Sequence, residues 1–286
     1  MPIGSGHGTV GGMSEDDGTA ARARAVESNA AFRPVRVAEG VVSRPAGAQT
    51  ATVHAFFGYL REQGLADAIP EPLSNDGTTE TLRIVEGDAG GDAWRYQHSL
   101  EGVESAARLL RRIHDASRGW VPPVDAVFGQ TVLARSGQVF CHGDPGPWNF
   151  AWRDGQAVGL FDWDYLHPGD PVDDVAYALF WFTPTRADHH CLDWHHFPAV
   201  PDRRERIQHF LSAYGPTRPF DVVDAIIKRG QATINLELSL AAQGIEPQRT
   251  WVADGVVDEE AAELRWVADN RALLTPSGAR RVPMDG

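Results

Sequence analysis

Two periodicities divide the chain. Near its start the alternation is strand-like: Val35-Arg36-Val37 and Val41-Val42-Ser43-Arg44 flank Glu39-Gly40, which predicts a hairpin. From Thr50 to Gln63 the period becomes helical. Val53, Phe56, Phe57 and Leu60 share one face, and Gly64 ends the run. After Pro70 and Pro72 a second hairpin is expected, turning at Asn75-Asp76-Gly77, with Thr81 to Val85 as its better strand. A long helix is predicted from Ser99 to Ser117, with Val103, Ala107, Leu110 and Ile113 inward. Val139-Phe140-Cys141 is a short strand, and Gly119 to Gln138 before it reads as loop with little regular structure. Phe150-Ala151-Trp152 and Ala157 to Phe161 are two strands joined at Asp154-Gly155, a strong two-residue turn signal. Asp170 as N-cap, Pro171 at the first helical position and Asp173 two residues on open a helix through Val175, Leu179 and Phe182. Three helices close the chain. Asp202 with Glu205 opens the first, whose core face is Ile207, Phe210, Leu211 and Tyr214. The second runs from Asp221 to Gln243 before Gly244. Asp258 with Glu259 and Glu260 opens the third, with Leu264, Val267 and Leu274 inward. Residues 1–31, rich in Gly, Ser, Ala and charge, lack periodicity and are expected to be disordered; 276–286 are expected to be a flexible tail.

Composition narrows the class. With 286 residues and 42% hydrophobic content the chain is long enough for two lobes. A formal charge of -13 argues against a general nucleic-acid binder and suits a cationic small molecule, although a solvated acidic surface explains it as well. No window resembles a membrane span or secretory signal, so neither a membrane nor a nucleic-acid partner is expected. Cys141 and Cys191 make no disulfide framework, and the default location is cytoplasmic. Lys228 is the only lysine; every other residue in the Lys+Arg count is arginine.

The chemistry is concentrated in residues 139–174, VFCHGDPGPWNFAWRDGQAVGLFDWDYLHPGDPVDD. His142 to Pro147 carries two glycines and two prolines, which impose a rigid irregular path. If Asp154-Gly155 is a two-residue turn, Arg153 faces Gln156 and Asn149 faces Leu160. Asn149 and Asp162 then lie on one face as diagonal neighbours, about 7–8 Å apart at Cα. An amide oxygen and a carboxylate converging there suit a hard cation such as magnesium, with Asp144 beside it.

An Asp, four intervening residues, an Asn and a hairpin to a second Asp resemble the phosphotransferase core of protein kinases and aminoglycoside phosphotransferases. The HGD of 142–144, the DWD of 162–164 and the following GDP-x-x-D favour the aminoglycoside phosphotransferase side. The likeness is strongest over 139–182 and extends more weakly from about Val35 to Leu274. It implies an α+β, bilobal protein-kinase-like fold, with a small β-rich N-lobe (32–88) and a larger, mostly helical C-lobe (89–275). It also implies Asp144 as the catalytic aspartate, Asn149 and Asp162 as ligands of Mg2+, and ATP or GTP as donor. The base would meet the hinge after the last N-lobe strand, at Arg83, Ile84 and Val85. The family places a lysine on the third strand, paired with a helix glutamate, but no lysine precedes Lys228. Arg44 is the obvious substitute, with Glu62 as a partner, or else a surface arginine. Phosphoryl transfer needs alignment and cations more than covalent help, so Asp144 would orient the acceptor hydroxyl and take its proton late, an ordinary carboxylate being a weak base near neutral pH.

The remaining polar residues admit plainer roles. Asp154 is a turn residue, and His142 holds the loop by hydrogen bonds. Asp164 either supports the metal site or binds solvent. Asp170 is most simply a cap; either it or Asp174 braces the catalytic loop. His114 is a packed or capping histidine. The segment with His189, His190, Cys191, His195 and His196 is expected as a surface loop, a zinc site being the alternative. GHGTVGG near the N-terminus is a weak phosphate cradle. The function expected is a small-molecule O-phosphotransferase for an aminoglycoside or similar hydroxylated metabolite. The alternatives are a non-catalytic nucleotide- or ligand-binding member of the fold and a metal-dependent hydrolase.

Overall fold

The computed structural model describes residues 34–129 and 139–276. The expectations for 1–31, the GHGTVGG stretch and most of 276–286 lie outside the described residues, as does the end of the loop before Val139.

Both expected N-terminal hairpins form, and they make one four-stranded antiparallel sheet. Its strands are β1 (Arg36–Ala38), β2 (Val41–Pro45), β3 (Glu71–Asn75) and β4 (Thr79–Arg83), in the order β1-β2-β4-β3. Glu39 and Gly40 both have positive φ, as a tight I′ turn requires. Helix α1 (Thr50–Leu60) lies between the hairpins and buries Val53, Phe56, Phe57 and Leu60. A wider turn over Arg61–Leu65 follows, and Gly64 at φ 85 breaks the helix where the sequence places its stop.

Helix α2 (Leu100–Ser117) starts at Ser99, whose hydroxyl accepts the Gly102 N–H. Strands β5 (Val139–Cys141) and β8 (His167–Gly169) pair with each other, and β6 (Phe150–Arg153) pairs with β7 (Gln156–Leu160). Helix α3 (Pro171–Phe182) is capped by Asp170, which accepts the Val172 N–H. Short α4 (Asp188–Asp193) is followed by α5 (Arg203–Tyr214), α6 (Val222–Ala242), α7 (Gln248–Ala253), α8 (Val256–Asp269) and α9 (Arg271–Leu274). Asp202 and Asp221 cap α5 and α6 as their sequences suggest. The start of α8 differs from expectation: Gly255, in the left-handed region at φ 85, is its N-cap, and Asp258 lies in the first turn. Glycine takes that conformation without a Cβ penalty, which fixes the entry two residues earlier.

One continuous apolar core joins the sheet-bearing part to the helical part, from Val53 and Phe56 through Trp163 to Ile226 and Leu274. The two parts are also tied by backbone. Asp88 and Trp152 exchange both hydrogen bonds, at 2.8 and 2.9 Å. The Leu160 N–H donates to the Ala68 carbonyl at 3.0 Å. Gly87 permits this approach, because a Cβ there would lie 2.6 Å from the Trp152 carbonyl oxygen.

Candidate active site

The loop after β5 is built around a buried carboxylate. Asp174, in the first turn of α3, accepts the His142 N–H at 2.6 Å and the Gly143 N–H at 2.9 Å. Gly143 sits at φ 86, which turns the two amides toward the same side chain. His114 Nε2 lies 3.1 Å from Asp174, and His114 Nδ1 lies 2.6 Å from the Tyr214 hydroxyl. Burial works against the Asp174 charge, but the hydrogen bond and charge of His114 hold its carboxyl below the usual range. Of the two candidates, Asp170 is therefore the cap and Asp174 the brace, and His114 is a packed histidine. His114, Cys141 and Asp174 lie close together, but Asp174 is already filled by two amides.

His142 has both ring nitrogens engaged. Nε2 donates to the Phe161 carbonyl at 2.9 Å, and Nδ1 accepts the Asp144 N–H at 3.1 Å. Burial lowers its pKa, so it stays neutral and structural. A hydrolase using His142 as base loses its support.

Asp144 uses its two oxygens differently. Oδ2 accepts the Asn149 side-chain N–H at 3.0 Å, with the Trp148 indole N–H at 3.5 Å. Oδ1 is buried and has no conventional hydrogen bond. The Tyr177 hydroxyl of α3 acts on the carboxylate from outside that geometry. Burial pushes the Asp144 carboxyl up to about 7; the Asp162 charge adds to this, while Tyr177, Trp148 and Asn149 pull it down. The expectation of an ordinary, weakly basic carboxylate is thus corrected: this group is poised near neutrality.

The expected hairpin register is correct only near its turn. Arg153 faces Gln156, and Asp154 and Gly155 both have positive φ. Between Ala151 and Trp152 the pairing shifts, so Phe150 faces Leu160. Val158 is the extra residue of this bulge, and the shift moves Asn149 opposite Phe161, whose N–H donates to the Asn149 carbonyl at 2.9 Å. Asp162 lies in the turn after β7, where it adopts φ 63. Between Asp162 and Asp164, Trp163 is fully buried, with its ring 5.3 Å from Phe56 and 4.6 Å from His142. That anchor fixes the carboxylates on either side.

The donor set fits a magnesium ion. The Asn149 Nδ2 is spent on Asp144, which leaves Oδ1 as its remaining polar atom, and the Asp162 carboxylate is 42% exposed. Arg44 shares this site. It donates to Glu80 at 2.7 Å, Asp162 at 2.6 Å and Asp164 at 3.0 Å. Burial opposes its charge, but Asp164, Asp162 and Glu80 outweigh that and raise its pKa. The expected partner Glu62 is exposed and takes no part, because the β2–β4 register sets Arg44 opposite Glu80. Asp164 binds Arg44, with Gln49 at 3.4 Å. At the expected hinge, Arg83 pairs with Glu71 at the exposed surface, and the Ile84 N–H donates to the Gly40 carbonyl at 3.0 Å. Val85 packs against Gly159.

A cavity lies between α3, α6 and α8, lined by Tyr177, Trp181, Arg229, Thr233, Glu237 and Glu260 among others. Arg229 of α6 is buried, donates to the Gly143 carbonyl and lies 4.9 Å from the Tyr177 ring. Neither Tyr177 nor Arg229 was marked by sequence; a cation in the buried stripe of α6, beside Ile226, was the available signal. The histidine-rich segment is not a surface loop. Cys191 and His195 are fully buried, and Trp94, Trp148, Trp181 and Trp194 pack into one cluster with His195. Among the described residues no three donor atoms of that segment converge as a metal group.

A catalytic loop braced from a helix, an Asp-Asn pair and a DWD turn beneath an antiparallel sheet define a bilobal, kinase-like phosphotransferase. Residues 123–219 match the model of the phosphotransferase enzyme family (APH). A trifolitoxin immunity protein of Rhizobium leguminosarum bv. trifolii is 30% identical over 187 residues, which are 63% of this chain and 69% of that protein. The chain belongs to the phosphotransferase enzyme family and is an enzyme of that class. Solved structures share the fold. The amicoumacin kinase hAmiN, in complex with AMP-PNP, Ca2+ and Ami, superposes with TM-score 0.55 at 12% identity, over 92% of this chain and 97% of that one. The spectinomycin phosphotransferase APH(9)-Ia, with ADP and spectinomycin, gives 0.53 at 10% identity, over 84% and 89%. A choline/ethanolamine kinase family protein from Mesorhizobium loti gives 0.52 at 18%, over 84% and 90%.

Proposed function

We propose that this protein transfers the γ-phosphate of ATP or GTP to a hydroxyl of an aminoglycoside or a similarly hydroxylated, amine-bearing metabolite. The observation that carries the reading is the asymmetry of Asp144: Asn149 and Trp148 donate to Oδ2, while Oδ1 is buried outside any conventional hydrogen bond. Oδ1 accepts the acceptor's hydroxyl hydrogen, orients the oxygen for in-line attack and takes the proton as the bond to phosphorus forms. Asn149 and Asp162 are the residues to hold Mg2+, which when bound neutralises charge on the phosphate oxygens. Arg44, on a strand of the nucleotide lobe (32–88), turns from Asp162 toward the phosphates as they arrive. Backbone of the Arg83-Ile84-Val85 segment faces the base; with the Ile84 N–H committed to the sheet, neighbouring carbonyls and amides make the contacts. The acceptor is bound by the larger lobe (89–275) in the cavity beside Tyr177, where Glu237 and Glu260 favour an amine. No helix among the described residues is long and apolar enough to cross a membrane. Free Cys141 and Cys191 accord with a reducing compartment such as the cytoplasm.

The test is radiolabelled phosphate transfer from ATP and from GTP, with Mg2+, to a panel of hydroxylated amines and matched neutral alcohols. Transfer to a member of the panel that disappears in Asp144→Asn supports the reading. Transfer that survives in Asp144→Asn with undiminished rate rejects Asp144 as the base.

A further inference from the structure

The guanidinium of Arg229 belongs to two places at once. It lines the cavity between α3, α6 and α8, and its Nη2 donates to the Gly143 carbonyl of the catalytic loop. It is buried and locked there. Nη1 donates to Thr233 Oγ1 at 2.6 Å, one turn further along α6, and the Thr233 hydroxyl donates its own hydrogen to the Arg229 carbonyl at 3.2 Å. The guanidinium carbon lies 4.9 Å from the Tyr177 ring centroid. The bond to the loop falls on the peptide that joins Gly143 to Asp144. Arg229 holds its carbonyl end, and His142 Nδ1 accepts from its N–H end at 3.1 Å. Gly143, at φ 86, has no side chain to resist rotation about its own bonds, so this plane depends on outside partners. Asp174 fixes the preceding peptide through the Gly143 N–H at 2.9 Å. The loop is thus gripped by a carboxylate at one peptide and by a guanidinium at the next.

We propose that Arg229 is a positioning residue for phosphoryl transfer: it sets the Gly143–Asp144 peptide plane, and with it the aim of the Asp144 carboxylate. This rests on the phosphotransferase reading above. Rotation of that plane moves the Asp144 Cα and carries the carboxylate with it. A charged donor suits the task, because hydrogen bonds from an ionised group are shorter and stronger than neutral ones. The effect is large because in-line transfer tolerates little misalignment. A displacement of about 1 Å, caused away from the chemistry, costs about 10²-fold in rate. Arg229 acts through the loop and need not touch the reacting atoms. The residues assigned above to the nucleotide lie in the N-terminal sheet, the hinge and the DWD turn, none of them bonded to Arg229. Loss of Arg229 therefore falls on the rate of the chemical step and spares nucleotide binding.

The experiment compares the wild-type protein with Arg229→Met, Arg229→Lys and Thr233→Val. Methionine keeps the length of the side chain and removes the donors, lysine returns one donor, and valine removes the acceptor that locks Arg229. Two quantities are measured in each. The first is hydrogen exchange of the Gly143 and Asp144 amides in the nucleotide-free protein. The second is kcat and nucleotide KM with Mg2+ and ATP, then GTP, for transfer to the panel of hydroxylated amines and for phosphate release to water, where no acceptor contact contributes. In Arg229→Met, exchange at the two loop amides should rise about tenfold. Its kcat should fall by about 10–100-fold in both assays, with nucleotide KM within about twofold of wild type. Arg229→Lys should recover part of both effects, and Thr233→Val should show smaller changes of the same sign. A side chain needed only for packing would raise exchange along α6 as much as in the loop, and lysine would not rescue it. Unchanged loop exchange in Arg229→Met overturns the proposal, as does raised exchange with kcat unchanged, or a kcat loss matched by a rise in nucleotide KM. If Arg229→Met does not fold, Thr233→Val decides: wild-type exchange and kcat there overturn the proposal. A wild-type protein that moves phosphate to neither the panel nor water removes the phosphotransferase reading, and the positioning role with it, whatever the exchange shows.

Discussion

Arg44 Nη1 lies 2.6 Å from Asp162 Oδ1, across 118 residues of sequence. The same guanidinium holds Glu80 through Nε, and Glu80 in turn accepts from His54 Nε2 at 2.8 Å. A lysine gathers its three N–H donors on one compact nitrogen, whereas Arg44 spreads its donors over Nε, Nη1 and Nη2 and gives one nitrogen to each of Glu80, Asp162 and Asp164. Arg44 therefore ties the sheet to the DWD turn.

Removing that tie should be costly. Arg44→Ala leaves Glu80, only 2% exposed, beside two further carboxylates without its guanidinium partner. Breaking a largely buried charge network costs up to about 3–5 kcal/mol, and the partial exposure of Asp162 argues for the lower end. Urea denaturation should show a loss of roughly 2–3 kcal/mol, with Arg44→Lys recovering only part of it. A loss within experimental error would mean that the network is ornamental to stability.

Asp144→Asn should separate activity from folding. Phosphotransfer should fall by about 10²–10⁴-fold, the usual reach of a general base. Stability should move the other way. Burial raises the folded carboxyl to about 7, against about 3.9 when unfolded. Below the unfolded value the group is protonated in both states and costs nothing. As pH rises from about 4 to about 7 the unfolded chain gains stability by ionising first, so the folded state loses ground, and above that the loss is constant. In metal-free buffer, Asp144→Asn should thus gain on the wild type between pH 4 and 7 in urea titrations. Parallel pH profiles would show that Asp144 ionises normally.

Much of this site was legible because its signals are local. Asp154-Gly155 forces a tight turn, Asp170-Pro171 forces a helix start, and the HGD, Asn149 and DWD spacing survives as a pattern in one dimension. What was missed depends on partners distant in sequence. The bulge at Val158 shifts the register by one residue and leaves no mark that a hairpin signal would carry. Glu80 became the partner of Arg44 only once β2 and β4 were adjacent, although its place on the inward face of β4 with Leu82 was a clue. Tyr177 and Arg229 each look like ordinary helix residues; they matter because α3 and α6 meet beside the catalytic loop. The histidine-rich segment reads as a surface loop because much of its burial comes from Trp94, far away along the chain.

Asp174→Ala should be the most destabilising of the carboxylate substitutions. It would strand the buried amides of His142 and Gly143 and leave His114 without its acceptor. An unsatisfied buried polar group costs about 1–3 kcal/mol, so a total near 3–5 kcal/mol is expected from chemical denaturation. The pH sign is opposite to that of Asp144. The folded Asp174 carboxyl is held below its unfolded value. Its contribution is complete above about pH 4 and is lost as pH falls toward the folded pKa. The wild type should show this acid-side loss, and Asp174→Ala should show a shallower one. Equal slopes below pH 4 would assign the acid sensitivity to other carboxylates.

The nucleotide site can be tested before any acceptor is known. A ligand at a hundred times its dissociation constant stabilises the folded state by about 2.7 kcal/mol, which for a chain of this size shifts the melting temperature by several degrees. Arg44 now neutralises Asp162, so Mg2+ alone meets a site already partly compensated and should give little shift. A nucleotide brings phosphates that draw Arg44 away and oxygens that complete the metal's shell, so Mg2+ and ATP or GTP together should stabilise more than the sum of their separate effects. Asp162→Ala removes one ligand of that shell and should abolish the excess while leaving any metal-independent nucleotide shift. Asp164→Asn should weaken the excess less, since Asp164 faces Arg44 at 3.0 Å. Additive shifts for metal and nucleotide in the wild type would contradict the competition between Arg44 and the metal for Asp162. They would place the arginine in a fixed structural role whether or not nucleotide is bound.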